Sequence, residues 1–167
     1  YLRKIKGKTA ALFAMSTALG AAESNAPAKT IQSLARFGSH LGMAFQIRDD
    51  ILDFTSSTRE VGKPTASDLR MGNFTLPVIY ALNSSGNGKL KSLLQKQDIS
   101  EEDWDQAHAL VLESKGIQRA QKLLDKYSQK AYRELDSLPG SLAVDTLRYI
   151  LDRLRLNPSD RYSMRPA

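Results

Sequence analysis

The sequence predicts an all-α protein, and three observations lead to that expectation. Apolar residues recur at helical spacing in several segments, most clearly over residues 28–54. The alternation of apolar and polar residues that marks a half-buried strand is nearly absent. Breaks rich in Asn, Pro and Gly separate segments of helical length. The predicted helices cover residues 3–22, 28–54, 76–82, 88–95, 101–114, 117–138 and 141–154.

Local signals place the ends of these helices in order along the chain. The first is predicted to end before Asn25-Ala26-Pro27, and the second cannot extend past Gly62 and Pro64. Pro77 suits the first turn of the third helix. Residues 83–88 form the next break, and Ser100 with Asp103 has the pattern of a capping box. Pro139-Gly140 then separates the last two helices.

Length and composition fit one helical domain. The chain has 167 residues, 41% of them hydrophobic and 25% charged, which is ordinary for a globular protein with one core. No internal repeat and no long linker indicates a second domain. We therefore expect one domain over residues 1–156 and a loose tail over residues 157–167.

Several classes of function are disfavoured. The net charge of +6 admits a nucleic-acid partner, but the basic residues are spread over most helices and no recognition motif is present, so no nucleic acid is expected. The longest weakly polar run, residues 9–22, is too short for a transmembrane segment. The lack of cysteine fits a reducing cytoplasm, which is the predicted location.

A polar stripe marks the end of the helix over residues 28–54. At about 100° per residue, Gly42, Gln46, Asp49 and Asp53 fall within a narrow arc, and apolar residues surround it. Asp49 and Asp53 form an i, i+4 like-charge pair near the helix C-terminus, where anions are disfavoured, and Asp50 adds a third carboxylate. We therefore expect a cation there, in a cavity that the stripe lines.

The ligand types narrow the choice of cation. Carboxylate oxygens suit magnesium or calcium, and magnesium commonly bridges one or two carboxylates to substrate phosphates. The two histidines, His40 and His108, lie far apart without a zinc pattern, and no EF-hand loop follows the aspartates. Lys63, in the turn Gly62-Lys63-Pro64, could place an ammonium beside the carboxylates. A cation and a lysine together would suit a phosphate-bearing substrate.

Several short motifs follow one another closely along the chain. They are Lys8-Thr9, Phe45-Gln46, Asp49-Asp50-Ile51-Leu52-Asp53, Gly62-Lys63-Pro64, Asp68-Leu69 and Gly72-Asn73-Phe74-Thr75-Leu76-Pro77. Their order and spacing are similar to the second aspartate-rich region of the trans-isoprenyl diphosphate synthases. Within that family the chain most resembles the long-chain bacterial enzymes, in particular the catalytic component of two-component heptaprenyl synthases. It departs from many relatives in having Gly72-Asn73 where they have Gly-Lys.

The resemblance implies the isoprenoid synthase type of helical bundle and a magnesium-dependent prenyltransferase. Isopentenyl diphosphate would be condensed with an allylic diphosphate to give a long-chain polyprenyl diphosphate. Asp49, Asp50 and Asp53 would match the metal-binding motif, and Lys8 and Lys63 would match lysines that contact the allylic diphosphate. Thr9 and Gln46 would be secondary contacts near the reacting carbons, and Gln46 would also belong to the substrate site.

A family enzyme also needs a first aspartate-rich motif, and these 167 residues contain none. The resemblance therefore implies the C-terminal part of the fold, which is expected to be inactive alone. Two alternatives stay open: a noncatalytic helical partner subunit of a two-component synthase, and an enzyme like the terpene cyclases. Apolar side chains left uncovered around Phe37, Leu41, Phe45 and Leu52 predict a homo-oligomer, and the intact enzyme could include a second synthase component.

Overall fold

The computed structural model of the chain describes residues 1–56, 66–84 and 86–154, and these residues contain no strand. The prediction of an all-α protein is confirmed. A π-helical segment, Lys6–Ala10, joins the first two helices into one continuous stretch. The α-helices are α1 Leu2–Ile5, α2 Ala11–Glu23, α3 Ala28–Thr55, α4 Ser67–Arg70, α5 Leu76–Leu82, α6 Gly88–Leu94, α7 Glu101–Glu113, α8 Gly116–Asp136 and α9 Leu142–Arg153.

Most predicted helices lie within two residues of their observed ends. The exceptions are the helix over residues 3–22, which the π-helical segment interrupts, and α4, which was not predicted. The capping box of α7 is confirmed: the Asp103 N–H donates to Ser100 Oγ at 3.2 Å, and the Ser100 N–H donates to the Asp103 carboxylate at 3.3 Å. The predicted tail over residues 157–167 and the turn that holds Lys63 lie outside the described residues.

The described residues form two compact units. Unit 1 contains residues 1–48 and 123–154, and unit 2 contains residues 49–56, 66–84 and 86–122. The expectation of one domain over residues 1–156 stays a prediction. Within the described ranges, no helix combines the length and the apolar character that a membrane span requires.

In unit 1, two glycines bring α2 and the π-helical segment close to α3. A Cβ atom at Gly38 would lie 2.4 Å from the Phe13 carbonyl oxygen, and one at Gly42 would lie 2.6 Å from the Ala10 Cα. Thr17 adds a hydrogen bond between the helices, because its Oγ1 donates to the Leu34 carbonyl at 2.7 Å. Only hydrogen fits at the two glycine positions, so they set the distance between these helices.

The remaining elements of unit 1 complete its core. Phe37 and Ile47 of α3, Leu124 and Leu135 of α8 and Leu151 of α9 are fully buried. The ion pair between Arg36 Nε and Glu134, at 2.9 Å, joins α3 to α8. Since the Arg36 side chain is about half exposed, the core packing stabilises the unit far more than this pair does.

The core of unit 2 lies around the end of α3 and the helices α4 to α8. Phe54, Leu69, Val78, Val111 and Ile117 are fully buried in it. Helix α8 begins at Gly116, where an added Cβ would lie 2.4 Å from the Pro77 carbonyl oxygen. The backbone of α8 can therefore reach α5 only through a glycine.

The exposed apolar surface of unit 1 differs from the prediction. Phe37 and Leu41 are 0% and 4% exposed, so they cannot contribute to an uncovered patch. Phe45, which belongs to the same prediction, is 42% exposed, and a further group of exposed apolar side chains lies on α2, where Leu12, Met15 and Leu19 are 60%, 56% and 55% exposed. The sequence pattern of α3 could not show this, because it indicates which residues share a face but not which neighbouring helix covers that face.

We predict that Gly42→Ala destabilises the fold by about 1–3 kcal/mol, because the new methyl group meets backbone atoms of Ala10 that cannot rotate away. Gly20→Ala is the matched control. Gly20 also lies in a helix of unit 1 but has open space around its Cα, so alanine there should stabilise by about 0.5–1 kcal/mol. Urea unfolding followed by circular dichroism measures both. Equal stability of Gly42→Ala and wild type would contradict the close helix contact.

Candidate functional site

Asp50 points into the interior of unit 2 and accepts a hydrogen bond from the start of α5. It is 2% exposed, and its Oδ2 accepts a hydrogen bond from the Leu76 N–H at 3.4 Å. Thr75 is the N-cap residue of α5, but its side chain makes no capping hydrogen bond. The carboxylate of Asp50 therefore supplies an acceptor for the first unpaired N–H group of α5.

Asp53 serves the start of α4 in the same way. Its Oδ1 accepts from the Ser67 N–H at 3.2 Å and from Ser67 Oγ at 2.8 Å, and its Oδ2 accepts from the Asp68 N–H at 3.2 Å. The Ala66 N–H donates to the Asp53 carbonyl oxygen at 2.7 Å. Two otherwise unpaired N–H groups at a helix start thus bind one carboxylate, which also suits the positive end of the helix.

Asp49 lies one residue before Asp50 on α3, and its side chain is exposed. It differs in this respect from Asp50, which is buried, and from Asp53, which is half-buried. The three carboxylates that the sequence grouped together are therefore placed differently. Asp50 and Asp53 hold neighbouring helices, and Asp49 is directed to the solvent-accessible surface of unit 2.

Burial and neighbouring carboxylates make the negative charge of Asp50 unfavourable. Burial is the largest cause of the rise in the pKa of Asp50 from 3.8 to about 7, and the negative charges of Asp68 and Asp53 contribute to the same rise. The hydrogen bond from the Leu76 N–H acts in the opposite direction but is too weak to cancel these effects. Asp53 and Asp68 therefore place negative charge close to Asp50.

The donor set fits a hard divalent cation held by few protein ligands. Within the described residues, no three carboxylates or histidines converge into a cage for a metal ion. A cation would therefore rely on one or two carboxylates together with water or substrate oxygens, which is the usual manner of magnesium. Asp49 is the exposed carboxylate of the three, and the negative charges of Asp53 and Asp68 would favour a cation nearby.

In unit 1 the structure brings Thr9 and Gln46 together. Thr9 Oγ1 donates a hydrogen bond to Gln46 Oε1 at 2.9 Å. Thr9 and the exposed Lys8 lie in the π-helical segment Lys6–Ala10, a rare geometry that is often found at functional sites. The adjacent contact of Ala10 with Gly42 places this segment against α3, one turn before Gln46.

The histidines take no part in either group. His108 lies in unit 2, where its Nε2 is 3.0 Å from the Phe54 carbonyl oxygen and its ring contacts the Phe54 ring. His40 lies in unit 1, with its ring centroid 6.1 Å from that of Tyr127. The expectation that neither belongs to a zinc site stays a prediction. The role of Lys63 stays a prediction, since that residue lies outside the described part.

Sequence reasoning missed three features of these groups. The Ser67 N–H, the Ser67 hydroxyl and the Asp68 N–H donate to the Asp53 carboxylate. Asp50 acts as a cap for α5, and the run Lys6–Ala10 is π-helical. The sequence signal that could have indicated these caps is the polar segment before Ser67 and before Leu76. A helix that begins after such a segment needs an acceptor for its first N–H groups.

Comparison with known proteins identifies the family. The model of the family described as polyprenyl synthetase matches residues 1–111. Component 2 of heptaprenyl diphosphate synthase from Bacillus subtilis is 44% identical over 153 residues, which is 90% of this chain and 43% of that protein.

Solved structures give the same result. Heptaprenyl diphosphate synthase from Staphylococcus aureus superposes with a TM-score of 0.86 at 34% identity, over 92% of this chain and 48% of that chain. Geranylgeranyl pyrophosphate synthase from Corynebacterium glutamicum, complexed with calcium and isoprenyl diphosphate, superposes with a TM-score of 0.83 at 36% identity, over 92% and 50%. The chain thus spans about half the length of the relatives that it matches.

We predict that the free energy of unfolding of the metal-free chain falls as the pH rises from about 4 to about 7. In that range the folded state binds more protons than the unfolded state, because the pKa of Asp50 is raised from 3.8 to about 7 on folding. The slope due to this group is at most about 1.4 kcal/mol per pH unit.

Asp50→Asn should remove this part of the pH dependence, since the amide keeps an acceptor for the Leu76 N–H but does not titrate. Asp98→Asn, at an exposed position of the same unit, should leave the pH dependence unchanged. Urea unfolding in the presence of a chelator, repeated between pH 4 and pH 8, gives the three slopes. An unchanged slope in Asp50→Asn would rule out the raised pKa.

Proposed function

The chain belongs to the polyprenyl synthetase family, and on that premise we propose that it forms part of a prenyltransferase that condenses isopentenyl diphosphate with an allylic diphosphate. The product would be a long-chain polyprenyl diphosphate, which the similarity to heptaprenyl diphosphate synthases supports. The lack of cysteine supports a cytoplasmic location. The observation that carries the proposal is the acidic end of α3, where Asp49 is exposed beside two carboxylates fixed by α4 and α5.

Asp49 is the proposed direct ligand of a magnesium ion. Asp50 and Asp53 add negative charge around it, and their hydrogen bonds to α4 and α5 keep the end of α3 in place. When bound, magnesium supplies positive charge that stabilises the leaving diphosphate. The calcium and isoprenyl diphosphate in the Corynebacterium glutamicum enzyme support this choice of ligand and substrate for the family.

Lys8, Lys63, Thr9 and Gln46 are the proposed substrate contacts. An ammonium group at Lys8 or Lys63 would stabilise the negative charge of the allylic diphosphate as the carbon–oxygen bond breaks. Gln46 Oε1 accepts a hydrogen bond from Thr9 Oγ1 at 2.9 Å, which fixes the orientation of both side chains. Amide and hydroxyl oxygens held in this way could stabilise the positive charge of an allylic cation without reorganising as it forms.

We predict that Asp49→Asn lowers turnover by at least about 100-fold in the full natural protein that contains this chain, because the cation loses its direct ligand. The fold should be unaffected, since the Asp49 side chain is exposed. A radiolabelled isopentenyl diphosphate assay, with circular dichroism to verify folding, makes the measurement. Asp98→Asn is the control for loss of one exposed carboxylate. Near-normal turnover of a folded Asp49→Asn protein would refute the assignment.

Self-association is a further part of the proposal. The exposed side chains of Leu12, Met15 and Leu19 lie within one arc of α2 and form an apolar stripe. A soluble monomer rarely leaves a large contiguous apolar patch exposed. A dimer with two-fold symmetry would cover this stripe on both copies at once. A second polypeptide is an additional candidate partner, because the Bacillus subtilis relative is named component 2.

We predict that the 167-residue chain is a dimer at low micromolar concentration and that Met15→Lys shifts it toward the monomer, because the charge would be buried in the interface. Gln32→Lys adds the same charge at an exposed position of α3 outside the stripe and should not change the mass. Light scattering measures the mass of each protein. A wild-type monomer would exclude self-association through α2.

A further inference from the structure

Unit 1 contains a cavity that is lined by none of the residues given a functional role above. It has a volume of about 320 Å³, which lies at the lower end of the range for small-molecule sites. The cavity lies among the first turns of the chain, the middle of α3 and the middle of α8. The polar side chains that line it are Arg3, Lys6, Ser39, His40, Tyr127 and Lys130.

The charged groups of this cavity have one sign. Arg3, Lys6 and Lys130 contribute cations, and no carboxylate lines the cavity. Within the described part of the chain, none of the three forms an ion pair. The nearby carboxylate of Glu134 is bound to Arg36 at 2.9 Å. Three cations around one space therefore lack a counter-charge from the protein.

The surroundings of His40 reflect the same imbalance. Burial lowers the pKa of His40, the positive charges of Lys130 and Arg36 lower it further, and only Glu134 acts in the opposite direction. Lys130 Nζ lies 5.5 Å from the centre of the Tyr127 ring, which orients the ammonium without neutralising it. An anion in the cavity would neutralise these charges and make a protonated His40 more favourable.

The types of donor indicate which anion fits. A guanidinium and two ammonium groups are the usual partners of phosphate oxygens, and the hydroxyl groups of Ser39 and Tyr127 can complete the shell. The cavity volume suits a compact ion better than a polymer. We propose that this cavity binds a small phosphate-bearing anion, of the size of phosphate or pyrophosphate. This inference does not depend on the proposed prenyltransferase activity.

Pyrophosphate in metal-free buffer is the probe, and the two histidines of the chain are the reporters. In a nuclear magnetic resonance titration at constant ionic strength, pyrophosphate should raise the pKa of His40 and leave the resonances of His108 in place. Lys130→Gln should weaken binding at least about tenfold, the loss expected for one charge-assisted hydrogen bond. Lys126→Gln removes an exposed charge one turn earlier on α8 and should bind as wild type does.

A second pair of variants, one in the cavity wall and one outside it, shows whether weaker binding comes from a lost cation or from misfolding. Lys6→Gln should weaken pyrophosphate binding, and Lys4→Gln, whose exposed side chain is not part of the cavity wall, should not. Binding that leaves the pKa of His40 unchanged, or that the cavity and control variants weaken equally, would overturn the proposal. Asp49→Asn should bind pyrophosphate normally here, so the two proposals can fail separately.

The phosphate group could belong to a free ion or to a lipid headgroup, and a vesicle experiment distinguishes them. A free anion predicts that vesicles containing phosphatidylglycerol bind wild type and Lys130→Gln equally while pyrophosphate shows the Lys130 dependence. If Lys130→Gln abolishes vesicle binding, and if vesicles raise the pKa of His40 in the wild type, the phosphate group bound in the cavity belongs to a lipid headgroup. Absence of both effects would overturn the site.

Discussion

The arrangement of unit 2 depends on two carboxylates of α3 that accept hydrogen bonds from the starts of other helices. A helix start leaves backbone N–H groups unpaired, and α4 and α5 are too short to form without compensation. Asp53 binds two N–H groups of α4 and the Ser67 hydroxyl, and Asp50 binds the first N–H group of α5. The carboxylates thus place the segments that follow α3 against its end.

This arrangement has an electrostatic cost that bears on function. Asp50 is buried near Asp53 and Asp68, and its pKa is raised to about 7, so about half of this group is protonated at pH 7. The negative charges of Asp53 and Asp68 would attract a divalent cation to the exposed Asp49. One set of aspartates can therefore stabilise the fold and create the electrostatic field that the proposed reaction requires. Replacing Asp50 or Asp53 would disturb both, whereas replacing Asp49 tests the chemistry alone.

Unit 1 depends on a different constraint, the close approach of helices at Gly38 and Gly42. With no side chain at these positions, the π-helical segment and α2 pack directly on the backbone of α3. This contact sets the position of Thr9, whose hydroxyl donates to Gln46 at 2.9 Å. Lys8 and Thr9 therefore lie on a π-helical segment. A regular α-helix would orient their side chains differently.

The sequence by itself determined the helical class, the positions of most helices and the residues of the aspartate motif. Helical periodicity, Pro77 and the Ser100 capping pattern are local signals, so they predict helices without knowledge of the tertiary contacts. Tertiary structure decided how each aspartate is used, because burial of Asp50 and exposure of Asp49 depend on where α4 and α5 pack. It also decided that Phe37 and Leu41 are covered while the stripe on α2 is exposed. A pattern along one helix shows which residues share a face, but only the packed neighbours determine what that face meets.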